Sequence, residues 1–113
     1  MNIQIFGTRK CFDTKKAERY FKERNIRYQF IDMKEKGMSG GEFRSVAAAA
    51  GGVENLIDRK CKDKALLALI DCTPDSLKES KILENQKIIR TPVVRNGRAA
   101  TVGYCPEIWK TWE

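Results

Sequence analysis

The chain reads as a single α/β domain: a mixed four-stranded sheet carrying a helical insertion. Three observations predict this. An apolar strand pattern at residues 2–6 runs through a short polar loop into an amphipathic helix. The middle of the chain is helical in pattern, with capping signals and no strand alternation. Near the C-terminus an Asn-Gly pair stands between two short apolar runs, the strongest local signal for a β-hairpin. A chain of 113 residues suits one modest core, and no linker, repeat or low-complexity tract divides it.

Each element has its own justification. Ala17, Tyr20, Phe21 and Arg24 fall at three-and-four spacing, and Asn25 can stop a helix in the left-handed conformation, so a helix is predicted from Phe12 to Arg24. Ile26 to Ile31 reads as a strand with Ile26, Tyr28 and Phe30 on one face. Strand, helix and strand in this order imply a right-handed unit with parallel pairing. Ser39 and Glu42 form a capping box before the stripe Phe43, Val46, Ala47 and Ala50, and Gly51-Gly52 ends that helix. Short helices follow at Val53 to Ile57 and Lys62 to Ile70, and Thr73-Pro74 supplies an N-cap and first-turn pair for a helix to Leu83. Val93-Val94 and Ala99 to Val102 flank Arg95-Asn96-Gly97-Arg98 as a hairpin. A helix from Pro106 to Trp112 closes the chain with Ile108, Trp109 and Trp112.

Composition excludes several classes. Hydrophobic residues make up 42% and charged residues 33%, against both disorder and a membrane span. The N-terminus lacks the basic, apolar, small-residue order of a signal peptide, so a cytoplasmic location and reduced thiols are expected for Cys11, Cys61, Cys72 and Cys105. Their spacing is not that of a zinc site, and the chain has no histidine, which also removes a Cys–His pair as a route to an activated thiol. No metal, flavin or nucleotide is expected, and no Gly-rich phosphate fingerprint is present. The net charge of +7 points to acidic partners, yet Lys and Arg are interleaved with Asp and Glu as on solvated helix faces. Direct nucleic-acid binding is not expected.

Cys11 is the candidate reactive residue. The loop Gly7-Thr8-Arg9-Lys10 delivers it to the start of a helix, where unpartnered backbone N–H groups carry partial positive charge and favour a thiolate. Arg9, Lys10 and Lys15 are expected to add to that field, whereas Asp13 opposes it. Thiols in such settings have pKa values of roughly 3.5–7.5 instead of about 8.5. The alternative is a small buried residue at a helix start.

The segment Gly7-Thr8-Arg9-Lys10-Cys11-Phe12-Asp13-Thr14-Lys15-Lys16-Ala17 resembles the active-site loop of the ArsC/Spx family, thioredoxin-fold proteins that include glutaredoxin-dependent arsenate reductases. The likeness continues through Ile89-Arg90-Thr91-Pro92-Val93-Val94 and into Thr101-Val102-Gly103-Tyr104 followed by a terminal helix. It implies a thioredoxin-like core at about residues 1–36 and 88–113, with the helical insertion at about 37–87. It also implies a cis peptide bond before Pro92, a groove lined by Thr91, Pro92 and Tyr104, and a thiolate or oxyanion held by Thr14, Lys15 and Lys10. Thr14 stands where relatives have Cys or Ser, so the C-x-x-C disulfide of the Spx branch cannot form here.

The chain departs from the reductases at two positions. Those enzymes place an Arg immediately before the proline and another after the hairpin; here the residues are Thr91 and Tyr104. Arg90 is one residue off and is expected to face the other side of an extended segment. Arg59, Lys60 and Arg90 are the remaining candidates for binding an anion. A charge-assisted hydrogen bond is worth about 1.5–3 kcal/mol, and without two of them weak arsenate reduction is expected, while thiol–disulfide exchange needs no such clamp. The resemblance therefore implies a thiol-dependent oxidoreductase with no bound cofactor and with glutathione as co-substrate, served by glutathione, glutaredoxin or thioredoxin. Its alternative is an Spx-like regulator binding the RNA polymerase alpha subunit. Cys105, next to Tyr104, is the candidate resolving thiol, or else a plain helix-entry residue before Pro106. Cys61 and Cys72 read as semi-buried thiols without a role.

Overall fold

The computed structural model describes residues 1–112. Its sheet has the order β2-β1-β3-β4, with β1 (Ile3–Gly7), β2 (Tyr28–Asp32), β3 (Val93–Asn96) and β4 (Ala99–Val102). β1 pairs in parallel with β2, Ile5 opposite Phe30, and antiparallel with β3, Ile5 opposite Val94. β3 and β4 are antiparallel, with Val93 opposite Val102. This is the mixed four-stranded sheet that the sequence predicts.

Alternation along β1 divides the core. Ile3 and Ile5 point to one face, where they pack with Val94, Ala17, Tyr20, Phe21 and Trp109. Phe6 points to the other and joins Val93, Ile31 and the apolar residues of the insertion. The first face is covered by α1 (Phe12–Glu23) and the C-terminal helix α5 (Pro106–Trp109) with its 3₁₀ extension Lys110–Trp112. The second is covered by α2 (Gly40–Ala49), a 3₁₀ turn at Val53–Leu56, α3 (Lys64–Asp71), α4 (Asp75–Glu84) and a 3₁₀ turn at Gln86–Ile88. Ile26, Tyr28 and Phe30 are all packed, partly buried, on the α1 face, as their period-2 spacing predicts.

Local chemistry sets the helix boundaries. α1 ends in a Schellman arrangement, with Ile26 N–H donating to Phe21 O at 2.9 Å and Asn25 N–H to Lys22 O at 3.1 Å, and Asn25 at φ 56°. Its last helical residue is Glu23, one earlier than predicted, because Arg24 already serves as the cap. Ser39 and Glu42 form the expected capping box: Ser39 Oγ accepts from Glu42 N–H at 3.2 Å, and Ser39 N–H donates to the Glu42 carboxylate at 2.9 Å. α3 starts at Lys64, two residues later than predicted, because the Asp63 side chain accepts from Leu66 N–H at 3.0 Å and fixes the N-cap there.

Two local expectations are corrected. Thr73 does not cap α4; its hydroxyl donates backwards to Leu69 O at 2.7 Å and closes α3, which leaves Pro74 at the cap and Asp75 as the first helical residue. The hairpin between β3 and β4 is present, but Asn96 is still paired, with Ala99, so the two-residue turn is Gly97-Arg98 with Gly97 at φ 61°.

The insertion is tied to the sheet at its two ends. The Gln86 side-chain amide accepts from Met38 N–H at 2.7 Å and donates to Met38 O at 2.8 Å, which joins the entry of the insertion to its exit. An isolated antiparallel bridge links Ile57 to Ile89, flanked by Asp58 N–H to Ile88 O at 2.8 Å and Arg90 N–H to Leu56 O at 2.7 Å. That bridge lays residues 58–60 beside residues 90–91 and so brings part of the insertion to the start of α1. Among the described residues no helix is long and apolar enough to cross a membrane.

Candidate functional site: the Cys11 groove

Cys11 is the N-cap of α1, in extended conformation at φ −80° and ψ 120°. Its N–H donates to Thr8 O at 3.2 Å, closing the turn that leaves β1, and its carbonyl accepts from Lys15 N–H at 3.2 Å, starting the helix. The thiol is partly exposed and donates to the carbonyl of Thr91 at 3.6 Å. Thr91 precedes Pro92 through a cis peptide bond, as the family resemblance implies. The sulfur thus lies between a helix start and the loop entering β3, at the edge of a groove of about 470 Å³ lined also by Asp13, Ile57, Asp58, Arg59, Lys60 and Arg90.

Burial alone would push the Cys11 thiol up. Four donors outweigh it and hold its pKa below the ordinary thiol value: the hydroxyls of Thr14 and Thr91 and the backbone N–H groups of Thr14 and Asp13. Thr14 is fully buried, and among the described residues its hydroxyl has no hydrogen-bond partner, so an ionised sulfur is the acceptor it lacks. No formed side-chain cap joins the neutral thiol to the helix. Ionisation therefore exchanges the Thr91 carbonyl, which repels a thiolate, for donors that stabilise it.

Hydrogen bonds, and not the expected field of cations, are the leading causes that lower this pKa. Arg9 lies over the Phe30 ring at 5.6 Å and 3.8 Å from the Asp32 carboxylate, directed at the sheet edge. Lys15 places its ammonium 5.9 Å from the Phe12 ring centre, and Lys10 is exposed on the loop. Long side chains on a wet helix start follow local aromatic and carboxylate partners, while hydrogen bonds to the sulfur are fixed by the backbone.

Gly7 is part of this arrangement. A Cβ at position 7 would collide with the Thr14 side chain, Oγ1 at 2.5 Å and Cγ2 closer still. Only glycine lets the end of β1 lie this close to the first turn of α1. Gly7→Ala is expected to destabilise the protein by about 1–3 kcal/mol through overpacking and to raise the Cys11 pKa by displacing the Thr14 hydroxyl. Urea unfolding and thiolate absorbance at 240 nm on the same sample check both; an unchanged thiol titration would contradict the role given to Thr14.

The three anion-binding candidates meet at the groove, with different freedom. Arg59 is engaged by Asp71 at 2.9 and 3.0 Å and by Glu54 at 2.9 Å. That leaves little of its guanidinium for a ligand. Lys60 is exposed at the rim. Arg90 corrects the expectation that it faces away: the bridge to Leu56 turns the segment so that its side chain lines the Cys11 groove and reaches over Gly103, where a Cβ would lie 3.0 Å from the guanidinium. Tyr104, expected in the groove, instead stacks edge-on against Trp109 at 5.5 Å and lines a neighbouring groove along α1.

The other thiols differ from Cys11. Cys105 lines a separate depression that it shares with Arg90, and it donates to Val102 O at 3.4 Å. Burial, then the Glu107 carboxylate, pushes its pKa above the ordinary thiol value. Cys61 is half-buried and Cys72 is exposed, not semi-buried. At neutral pH Cys11 is expected to alkylate with iodoacetamide faster than Cys105 by about tenfold or more, its rate levelling off at lower pH, since only thiolates react and the two pKa values move in opposite directions. Peptide mapping of the alkylated chain checks this; faster reaction of Cys105 would contradict it. Among the described residues no group of three or more His, Cys, Asp or Glu side chains could hold a metal ion.

A partly exposed cysteine at the N-cap of a helix, hydrogen-bonded to the residue before a cis-proline at the end of a mixed sheet, is a candidate thiol site on a thioredoxin-like fold. The chain belongs to the ArsC family, whose model matches residues 6–112. Among solved structures it is similar to a Bacteroides fragilis protein assigned as ArsC-family related, at 20% identity and TM-score 0.85, covering 100% of this chain and 98% of the other. An arsenate reductase from Vibrio cholerae is similar at 23% identity and TM-score 0.81, over 96% of this chain and 94% of that one. The glutaredoxin-like NrdH-redoxin from Escherichia coli shares the fold more distantly, at 15% identity and TM-score 0.51, over 100% and 96% of the two chains. No curated protein sequence matches the chain.

Sequence reasoning missed the exposed Phe12 and the groove beyond it. Phe12 stands opposite the buried stripe of Thr14, Ala17 and Phe21 in helical phase, so an apolar residue off the core face was the available signal. The position of Arg90 depended on a bridge between two isoleucines 32 residues apart, for which no local pattern exists.

Proposed function

We propose that this protein is a thiol-dependent oxidoreductase of the arsenate-reductase-like type, in which the Cys11 thiolate attacks a disulfide such as a mixed disulfide with glutathione. The observation that carries this reading is the partly exposed Cys11 sulfur, with its pKa held down by Thr14, Thr91 and the first N–H groups of α1, at the edge of an open groove. In the reaction Cys11 forms a new S–S bond with one sulfur and the other leaves as a thiolate. A second thiolate, from glutathione, glutaredoxin or thioredoxin, then attacks the mixed disulfide and returns Cys11 to the thiolate, so no metal or bound cofactor is needed. A reducing cytoplasm is the compartment that suits this chemistry.

Arsenate is a poor fit. The groove holds Asp13 and Asp58 as well as its cations, and Arg59 is already neutralised by two carboxylates, so an oxyanion meets mainly Lys60 and Arg90. Electrostatic stabilisation of a developing oxyanion is the larger need of that reaction and is not required for disulfide exchange. Steady-state assays with glutathione and glutaredoxin, on arsenate and on a glutathione mixed disulfide, are expected to show turnover of the second and little of the first. Robust arsenate turnover would reverse the assignment. Binding to the RNA polymerase alpha subunit without turnover of either substrate would replace it with a regulatory role.

Arg90 is assigned the carboxylate of the incoming glutathione moiety, since of the groove's two guanidinium groups it is the one without a carboxylate partner among the described residues. Arg90→Ala is expected to raise KM for the mixed disulfide about tenfold with little change in kcat, the loss of one charged hydrogen bond worth about 1.5–3 kcal/mol in part replaced by water. An unchanged KM would remove Arg90 from substrate binding.

A further inference from the structure

A second groove, of about 540 Å³, runs between α1 and α5 and is lined by Lys16, Arg19, Arg24 and Lys110 with, among the described residues, a single carboxylate, Glu23. Glu23 is taken up by Arg19 at 3.5 Å. Among the described residues Lys16, Arg24 and Lys110 form no ion pair. Two of the cations are held in place by aromatic rings: the Arg24 guanidinium lies 3.7 Å from the Tyr20 ring centre and donates to Tyr20 O at 3.2 Å, and the Lys16 ammonium lies 5.6 Å from the ring centre of Tyr104. Cations gathered in a concave surface with no carboxylate partner among the described residues mark a place for negative charge.

The face of α1 that lines this groove continues toward Cys11 at the start of the helix. Phe12, Lys16, Arg19 and Glu23 follow one another at i, i+4, i+7 and i+11 and therefore share one stripe of α1. At the head of that stripe Phe12, adjacent to Cys11, is 79% exposed, an unusual degree for a phenylalanine in a helix. From Phe12 to Arg24 the helix rises about 18 Å, the length of an extended segment of roughly five or six residues. Small disulfides do not need a charged channel of that length.

We propose that the α1–α5 groove docks an acidic segment of a protein partner and that Phe12 anchors the partner beside the sulfur it presents to Cys11. This rests on the reading of Cys11 as a disulfide-exchanging thiol. The partner is a protein carrying a disulfide next to a run of about five residues rich in Asp and Glu. Cys11 joins one partner sulfur and the other departs as a thiolate, so one disulfide is exchanged for another and no oxidant is consumed.

Three probes test this: two peptides, a cysteine followed by five glutamates and a cysteine followed by five lysines, each as its mixed disulfide with mercaptoethanol, and hydroxyethyl disulfide as a small uncharged substrate. At low salt the acidic peptide is expected to react with Cys11 about tenfold faster than the basic one, and 0.5 M salt is expected to remove most of the difference. The double variant Lys16→Glu, Lys110→Glu is expected to abolish the acidic preference. Direct binding is read by fluorescence anisotropy with the acidic peptide bearing serine in place of cysteine, a probe that involves no exchange. Absence of saturable, salt-sensitive binding to the unmodified protein overturns the docking site, as does an acidic preference that persists unchanged in the double variant. If hydroxyethyl disulfide fails to react with Cys11, the exchange reading falls, and the serine peptide still decides the groove.

Discussion

Cys11→Ser is expected to reduce turnover of a glutathione mixed disulfide to the uncatalysed background. Oxygen cannot form the mixed disulfide through which exchange proceeds, and a serine hydroxyl at this position does not ionise near neutral pH even beside the donors of Thr14 and Thr91. The fold should survive, since serine is close in size and the site is partly exposed at a helix cap where serine is a favoured residue. Circular dichroism and urea unfolding establish that point alongside the assay. Activity retained in the serine variant would sink the mechanism outright, and loss of activity in Cys105→Ser with Cys11 intact would instead make Cys105 an internal resolving thiol.

The pH dependence of the same reaction follows with a definite sign. Because the Cys11 pKa is lowered in the folded protein, the thiolate fraction is established at a pH below that of a free cysteine, and the rate of attack rises through that lower range before levelling off. Thr14→Val keeps the shape of the buried side chain and removes its hydroxyl, so the inflection is expected to move up toward the ordinary thiol value. Thr91 and the two backbone donors remain, and the shift should be partial.

How far the fold could be read from the sequence depended on the range of the interaction concerned. The strand before Cys11, the capping box at Ser39 and the left-handed Asn25 are decided within a few residues, and all three stand where their local chemistry places them. The hairpin turn slipped by one residue because Asn96 is better used in the ladder with Ala99, a preference of the pairing and not of the dipeptide. The site followed the same rule. The placement of Cys11 and Thr14 at a helix start was legible because it is decided locally, whereas the directions of Arg90 and Tyr104 were not, because they are set by contacts with Leu56, Gly103 and Trp109. The cations around Cys11 were counted by their sequence distance, and the structure spends Arg9 on Asp32 and Lys15 on an aromatic ring.

Trp109→Ala is expected to cost about 3–5 kcal/mol, a large part of the stability of a domain of this size. Trp109 is fully buried, and its indole fills the space between the sheet and α1: its ring centre is 5.1 Å from those of Tyr20 and Phe21, and its N–H donates to Thr101 Oγ1 at 2.8 Å. Alanine would remove this packing, leave a cavity against Ile3, Ile5 and Val94, and deprive the buried Thr101 hydroxyl of its donor. Trp109→Phe keeps most of the volume and loses the hydrogen bond, so it should cost less, about 1–3 kcal/mol. Urea unfolding midpoints at constant slope measure both. Equal losses in the two variants would mean that the bond to Thr101, not the filling of the space, holds α5 to the sheet, while a loss under about 1 kcal/mol in the alanine variant would show that α5 contributes little to this face of the core.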